Sequence, residues 1–242
     1  MCIRDSSCGD QNIITGLRPV KTLSEIVTSS TVINQKNINQ NLTPHASGFY
    51  YLGASQGGAA NSNFSAELLK SPIHGLSAQF PYIIADLGSQ IGEIQSSFLE
   101  MAHLVLVVTT PEILVINQTR KILDELASMA IPGDMVQVVL NKVSKNGVSS
   151  QAIIQSLKKQ VISSIPQDEL TVFGSVQKSM PFVYAQPKAP ITQAYHQLVR
   201  VITGGMLQNL KSRARKPIKA KKALGPTPVS YTHLTLPTIC SV

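Results

Sequence analysis

Residues 104–110 read LVLVVTT, an unbroken run of aliphatic residues that ends in two threonines. A run of this length without polar interruption predicts a strand that is buried on both faces of a parallel sheet. Pro111 follows directly and suits the first turn of a helix. That helix has one stripe at helical spacing, formed by Val115, Thr119, Ile122, Leu126 and Met129. The stretch therefore predicts one strand–helix unit of an α/β protein.

The alternation of strand and helix continues on both sides of this stretch. Further strands are predicted at 82–87 (YIIADL), 135–141 (MVQVVLN) and 161–165 (VISSI), and further helices at 91–102, 148–160, 168–178 and 190–203. Nearer the start, the sequence predicts a short helix at 22–27, a strand at 48–53 and a helix at 64–79 that Pro72 interrupts. Repeated βαβ units predict a parallel sheet with helices on both faces, and ligands of such sheets bind at the carboxyl ends of the strands.

The composition excludes several classes of protein. The chain has 242 residues, of which 43% are hydrophobic and 14% are charged, so it is neither a disordered polyelectrolyte nor too small to bury a core. No apolar run approaches the roughly 20 residues of a membrane-spanning helix. Three cysteines, two of them in the first eight residues, do not form a disulfide framework. We expect a cytoplasmic globular protein.

The positive charge is concentrated in one segment near the end of the chain. Seven basic residues without an acid occupy this segment: Lys211, Arg213, Arg215, Lys216, Lys219, Lys221 and Lys222. Removing their charges from the net +8 leaves +1, so the remaining chain is nearly neutral. Such a run is typical of a solvated tail, and the sharper hypothesis is contact with anionic lipid or DNA.

Both ends of the chain differ from their neighbours. Residues 1–6 (MCIRDS) and 230–242 (SYTHLTLPTICSV) resemble translated sequencing-adapter read-through, and we leave them out of the predicted fold. The expected organisation is an artefact at 1–6, a partial α/β domain at 9–203, a basic tail at 204–229 and a second artefact at 230–242. We also expect that the native protein begins upstream of this chain.

Polar features lie at the carboxyl ends of three predicted strands: Asp86-Leu87-Gly88, Thr109-Thr110-Pro111-Glu112 and Asn141-Lys142. Asp86 closes the run IIAD in a Walker B pattern, where a carboxylate can hold Mg²⁺ directly or through water, and Gly88 lets backbone approach a phosphate. The alternative is an aspartate that caps the next helix. Asn141 offers a donor and an acceptor to an adenine edge, or is ordinary turn chemistry. Pro166 is an apolar wall for a base, or a loop-forming proline.

Two further sequence patterns bear on nucleotide binding and on hydrolase chemistry. The sequence contains no G-x-x-x-x-G-K-[ST] motif, so we expect this chain to bind nucleotide poorly. Residues 53–57 (GASQG) match the G-x-S-x-G nucleophile elbow, with Ser55 as nucleophile and His196 later in the chain. The residues after Ser55 are poor helix formers, and the alternative is a Gly/Ser loop. The histidines have no metal-ligand spacing.

The order of these pieces resembles the MinD/ParA superfamily of deviant-P-loop ATPases, and within it the CpaE/TadZ pilus-assembly group. The likeness covers about residues 9–203. The stretches that carry it are 16–27 (GLRPVKTLSEIV), 45–56 (HASGFYYLGASQ), 80–88 (FPYIIADLG), 104–112 (LVLVVTTPE), 138–147 (VVLNKVSKNG) and 163–198, which begins SSIPQDELTVFG.

The resemblance implies a P-loop NTPase fold of three layers, with ATP and Mg²⁺ as cofactors. It implies that Asp86 is the Walker B aspartate, that Gly88 lies in a γ-phosphate switch, that Asn141 reads adenine and that Pro166 lies beside the base. Asp10 falls in the family's acidic switch region. The function implied is positioning and assembly of a Flp/Tad-type pilus through an ATP-gated homodimer. Its partners are the pilus secretion ATPase and other pilus-assembly proteins, at the inner membrane or cell pole.

The chain departs from the family pattern in two places. The first strand, P-loop, first helix and second strand are missing, so we expect unpaired central strand edges and aggregation. The turn after the Walker B aspartate is Leu87-Gly88-Ser89 and lacks the family's proline, which puts hydrolysis in doubt. Two alternatives stay open. One is a non-catalytic scaffold of the same fold, and the other is a ParA/MinD-like partition or division-site ATPase.

Overall fold

The apolar runs of the sequence form the middle of one twisted sheet. The computed structural model describes residues 2–4, 16–53, 66–144, 147–206 and 238–241. Eight strands are found within these ranges: β1 (Cys2–Arg4), β2 (Thr43–Pro44), β3 (Tyr50–Leu52), β4 (Ile83–Asp86), β5 (Leu104–Thr109), β6 (Val136–Val143), β7 (Val161–Pro166) and β8 (Thr238–Ser241). Their order is β2-β3-β1-β4-β8-β5-β6-β7, and every neighbouring pair is parallel except β2 with β3. The predicted parallel α/β sheet is confirmed.

Helices follow most of the strands. They are α1 (Leu23–Thr28), α2 (Ile38–Asn41), α3 (Lys70–Gln79), α4 (Glu93–Met101), α5 (Ile113–Ser128), α6 (Ser150–Leu157), α7 (Glu169–Gln177), α8 (Phe182–Ala185) and α9 (Pro190–Val201). A 3₁₀ turn at Ala66–Leu69 precedes α3, and a π turn at Ile202–Met206 follows α9.

The sheet has a packed core on each face. Alternate residues of β5 enter opposite layers: Val105 and Val107 belong to the larger cluster, which includes Phe98 of α4, whereas Leu104 and Leu106 pack with Leu198 of α9. All six are at most 8% exposed. Burial on both faces is the reason that the sequence of β5 is apolar at successive positions.

Both chain ends contribute a short strand, which differs from the expectation that they lie outside the fold. β1 lies between β3 and β4, and β8 lies between β4 and β5. The expected gap between the central strands β4 and β5 is thus filled along Ile83–Asp86 and Leu104–Leu106. The physical reason is that strand edges left without partners accept any extended segment that can complete the ladder. The foreign origin of both ends stays a prediction.

Local details also differ from the sequence predictions. Pro72 does not interrupt α3, because it lies in the first helical turn, where its missing N–H is not needed. Pro111 lies before α5, whose N-cap is Glu112. The short elements α2, β2 and α8 were not predicted.

Candidate functional site

The candidate site residues predicted from the sequence lie at one edge of the sheet. Asp86 is the last residue of β4, Pro166 is the last of β7, and Asn141 is near the end of β6. All three strands run in the same direction, so these residues share the carboxyl edge. Asp86 and Asn141 are three strand spacings apart, about 14 Å at about 4.8 Å per spacing. This edge is where ligands of parallel sheets bind.

Asp86 is held in a tight local turn. Its Oδ1 accepts a hydrogen bond from the backbone N–H of Gly88 at 3.3 Å, and Gly88 has a φ of +70°. The half-buried carboxylate does not cap the next helix, because α4 begins at Glu93 with Gly92 as its N-cap. The capping alternative is therefore wrong, and the turn leaves Asp86 at the strand end.

The donor set at Asp86 fits one kind of metal site. Within the described ranges, no three His, Cys, Asp or Glu side chains come close enough to hold a metal by themselves. Mg²⁺ keeps several waters and takes one or two carboxylates together with phosphate oxygens. One carboxylate at the carboxyl edge suits that arrangement, in which ligand and water supply the other oxygens.

Asn141 lies in a β-bulge and not at the end of its strand. Leu140 pairs with Ser164 and Val143 pairs with Pro166, so β6 uses three steps where β7 uses two. Lys142 absorbs the extra residue with a φ of +53°, and its N–H donates to Oδ1 of Asn141 at 2.9 Å. The amide oxygen of Asn141 therefore makes a local hydrogen bond within the turn in this state. This is the ordinary turn chemistry that the sequence analysis gave as the alternative to adenine binding.

Two threonines at the end of β5 belong to a polar strand end predicted from the sequence, but no binding role was predicted for either of them. The hydroxyl of Thr109 is fully buried and accepts a hydrogen bond from the hydroxyl of Thr119 at 2.8 Å. Thr110 differs, because its buried Oγ1 has no hydrogen-bond partner among the residues that the structure describes. The next residue, Pro111, packs against Gly147 and accepts a bond from Val148 N–H at 3.1 Å. The pair of threonines after the apolar run was the available sequence signal.

Other candidates lie away from this edge or outside the described ranges. His196 is exposed on α9. Ser55, Asp10 and the seven cations of the basic segment lie outside the residues that the structure describes. An open pocket near Gln137 and Lys158 lies at the opposite, amino-terminal end of β6. Lys159 Nζ there donates to the backbone oxygen of Gly133 at 2.6 Å, which is a structural contact.

The fold is shared with a class of proteins of known structure. The architecture is the α/β fold of MinD and ParA P-loop NTPases. A ParA family ATPase from Chlorobium tepidum matches with a TM-score of 0.75 and 18% identity over 84% of this chain and 85% of that one. MinD from Pyrococcus horikoshii, solved with Mg-ADP, matches with a TM-score of 0.67 and 17% identity over 85% and 84%. The MinC:MinD complex of Aquifex aeolicus matches with a TM-score of 0.68 and 19% identity over 91% and 86%.

Sequence comparison agrees with this class. An uncharacterized ATP-binding protein of Methanocaldococcus jannaschii is 27% identical over 173 residues, 70% of this chain. This chain spans only 64% of that relative's length. The septum site-determining protein MinD of Thermotoga maritima is 25% identical over 214 residues, 84% of this chain and 77% of the relative. The chain is homologous to ATPases of the MinD/ParA family. No protein-family model matches it.

Among the residues that the structure describes, none of the helices combines the length and the hydropathy that crossing a bilayer requires.

Proposed function

We propose that this chain is an adenine-nucleotide-responsive positioning factor of the MinD/ParA type. The observation that carries the proposal is the placement of Asp86, Gly88, Asn141 and Pro166 along one carboxyl edge of a parallel sheet. The base lies at the β6–β7 end, where Asn141 reads its edge beside Pro166. The phosphates lie at the β4 end, where Gly88 admits them and Asp86 holds Mg²⁺ directly or through water. Bound Mg²⁺ neutralises the phosphate charge.

The two ends of the site are tested separately in the full chain. Because the sequence has no Walker A motif, we expect weak binding and use ligands at millimolar concentration. Amide chemical-shift titrations with adenosine report on the base end, and titrations with ADP with and without Mg²⁺ report on the phosphate end. The relatives support this choice of ligand, since one carries the name of an ATP-binding protein and another was solved with Mg-ADP.

Two variants and one control distinguish the roles. Asn141→Ala is expected to weaken adenosine and ADP equally. Asp86→Asn is expected to abolish only the increase in ADP affinity that Mg²⁺ produces. Asp124→Asn removes an exposed carboxylate of α5 and is expected to change neither. Absence of any adenine-specific shift at Asn141 in the unmodified chain would overturn the proposal.

The cellular role is a finer proposal. The resemblance of residues 9–203 to the CpaE/TadZ group favours Flp/Tad-type pilus assembly, with the pilus secretion ATPase as partner and an ATP-gated homodimer as the active form. The similarity to MinD of Thermotoga maritima and to a ParA family ATPase favours division-site or partition positioning instead. The MinC:MinD complex shows that one structural neighbour assembles with a protein partner.

Partner capture separates these roles. The purified chain, with and without ATP and Mg²⁺, is mixed with the pilus secretion ATPase of the same genome and, separately, with its MinC and with duplex DNA. Retention of the secretion ATPase alone supports the pilus role. Retention of MinC or DNA alone supports the alternative. A chain that binds its partner equally without nucleotide is the non-catalytic scaffold.

The seven cations between Lys211 and Lys222 are proposed to contact anionic lipid or DNA at the cell pole or inner membrane. Their number supports a steep salt dependence, because each neutralised phosphate releases counterions. Replacing all seven with Gln is expected to abolish binding to duplex DNA and to vesicles of anionic lipid. Unchanged binding and localisation would remove this part of the proposal.

The domain boundaries are proposed as in the sequence analysis, with the ATPase-like domain at 9–203 and foreign segments at 1–6 and 230–242. Amplifying the locus from genomic DNA across the codons for Gly9 and Ser230 tests this assignment. Genomic sequence that encodes MCIRDS and SYTHLTLPTICSV in frame would refute it.

A further inference from the structure

Within the described part of the chain, the hydroxyl of Thr110 is a buried polar group without a hydrogen-bond partner, one strand away from the candidate base residue Asn141. Buried hydroxyls nearly always have a partner, so an unpaired one calls for an explanation. Thr109, the preceding residue, meets the ordinary expectation, because its hydroxyl is bonded to that of Thr119. The contrast between two adjacent threonines shows that burial in this region does not prevent pairing.

Thr110 lies next to Asn141. Thr109 of β5 pairs with Leu140 of β6, and Thr110 and Asn141 each come one residue later. The β5–β6 ladder ends at that pair, so Thr110 and Asn141 are the first residues beyond it on two strands that lie about 4.8 Å apart. Asn141 makes a different bond in this state, because its Oδ1 accepts from the N–H of Lys142 at 2.9 Å. The hydroxyl of Thr110 and the amide oxygen of Asn141 are thus not hydrogen-bonded to each other in this state.

We propose that Thr110 is the positioning residue for Asn141, and that its hydroxyl donates to Oδ1 of Asn141 when an adenine base is bound. This inference rests on the proposed nucleotide site. To face a base, the amide of Asn141 turns away from Lys142 N–H and loses that bond. The hydroxyl of Thr110 replaces it. Because a carbonyl oxygen has two lone pairs, Oδ1 then accepts from Thr110 and from the adenine 6-amino group, while Nδ2 donates to a ring nitrogen.

The proposal predicts a bond that forms only with ligand. The unpaired hydroxyl costs stability in the free protein, since a buried group without a partner keeps its desolvation penalty. Replacing it with an isosteric methyl should therefore help the free protein and harm the complex. A merely structural threonine would show a loss of stability in the free protein and no change in base selectivity.

The test uses the full chain with adenosine and inosine, which differ at the 6-position of the base. Thr110→Val is expected to raise the Kd for adenosine about threefold to tenfold, the effect of one lost hydrogen bond, and to reduce the preference for adenosine over inosine. Thr110→Ser keeps the hydroxyl and should restore both values. The melting temperature of free Thr110→Val should equal or exceed that of the unmodified chain.

Thr109→Val is the matched control. It removes an adjacent buried hydroxyl that is paired with Thr119, so it should lower the melting temperature and leave the adenosine-to-inosine ratio unchanged. The inference is overturned if Thr110→Val binds adenosine like the unmodified chain, or if Thr109→Val loses as much selectivity. If the unmodified chain binds neither nucleoside, the proposed function itself fails and this inference fails with it.

Discussion

Gly88 provides a direct test of the turn that holds Asp86. Its φ of +70° lies in the left-handed region, where a Cβ meets the following carbonyl oxygen. An alanine held in this conformation costs about 1–2 kcal/mol. The loss of glycine's freedom in the unfolded chain returns about 0.4–1 kcal/mol. We therefore expect Gly88→Ala to destabilise the protein by about 0.5–1.5 kcal/mol.

The assay is thermal unfolding followed by circular dichroism. For a domain of this size, 1 kcal/mol moves the melting temperature by about 2–4 °C, so Gly88→Ala should melt about 1–6 °C lower. Gly88→Asn should lose less, because asparagine enters the left-handed region more readily than alanine.

The matched control is Gly174→Ala. Gly174 is inside α7, and a Cβ built there meets no atom within 4 Å. Alanine is favoured over glycine in a helix by about 0.8–1 kcal/mol, so this variant should melt higher than the unmodified chain. Two glycine-to-alanine changes are thus expected to have opposite signs. A Gly88→Ala protein that melts at or above the unmodified chain would refute the assigned turn geometry.

Three further predictions follow from the fold. Thr22→Ala removes the hydroxyl that accepts from Glu25 N–H and donates to Glu25 Oε2 in the capping box of α1, whereas the backbone N–H of residue 22 still donates to Glu25. It should cost about 0.5–2 kcal/mol in urea unfolding. The hydrogen bonds from Thr22 lower the pKa of Glu25 below its ordinary 4.5. The contribution of this cap to the free energy of unfolding is therefore complete above pH 4.5 and is lost as the pH falls through the lowered pKa. Equal effects of Thr22→Ala at neutral and strongly acidic pH would contradict this pH dependence. Phe98→Ala empties a fully buried position and should cost about 3–5 kcal/mol, read as a lower urea midpoint at unchanged slope. Ending the chain at residue 229 removes β8 and should increase light scattering on concentration, because β4 and β5 lose their shared partner; a monodisperse product would count against that pairing.

The central strands could be predicted because their burial determines which residues they contain. β5 and β6 are buried on both faces, and this produces the local runs LVLVVT and VQVVL. β2 has no such signal. Its Thr43 accepts from the N–H of Val20 at 2.8 Å and donates to the carbonyl of Arg18 at 3.1 Å. These partners are more than 20 positions away in the sequence, so no local pattern reports them.

The candidate site divides in the same way. The turn at Asp86 and Gly88 involves residues two positions apart, and a strand-final aspartate with a nearby glycine is a readable pattern. The bulge at Asn141 depends on how β6 is registered against β7, which is a property of two strands. The role of Thr110 could not be predicted from the sequence either, because the absence of a hydrogen-bond partner depends on how the neighbouring strands are placed.

The two ends of the site are therefore prepared to different degrees. Gly88 N–H donates to one oxygen of Asp86 and fixes the carboxylate within a turn at the strand end, where the proposed site holds a hydrated cation. Asn141 is engaged with Lys142 N–H, and a base must compete with that intramolecular bond. Binding at the base end costs this bond unless another donor replaces it. The adjacent unpaired hydroxyl of Thr110 is such a donor, and it makes the exchange nearly balanced. Selectivity for adenine would then arise from the exchange of partners at Asn141 and affinity from the phosphate end, so variants at the two ends should change different quantities.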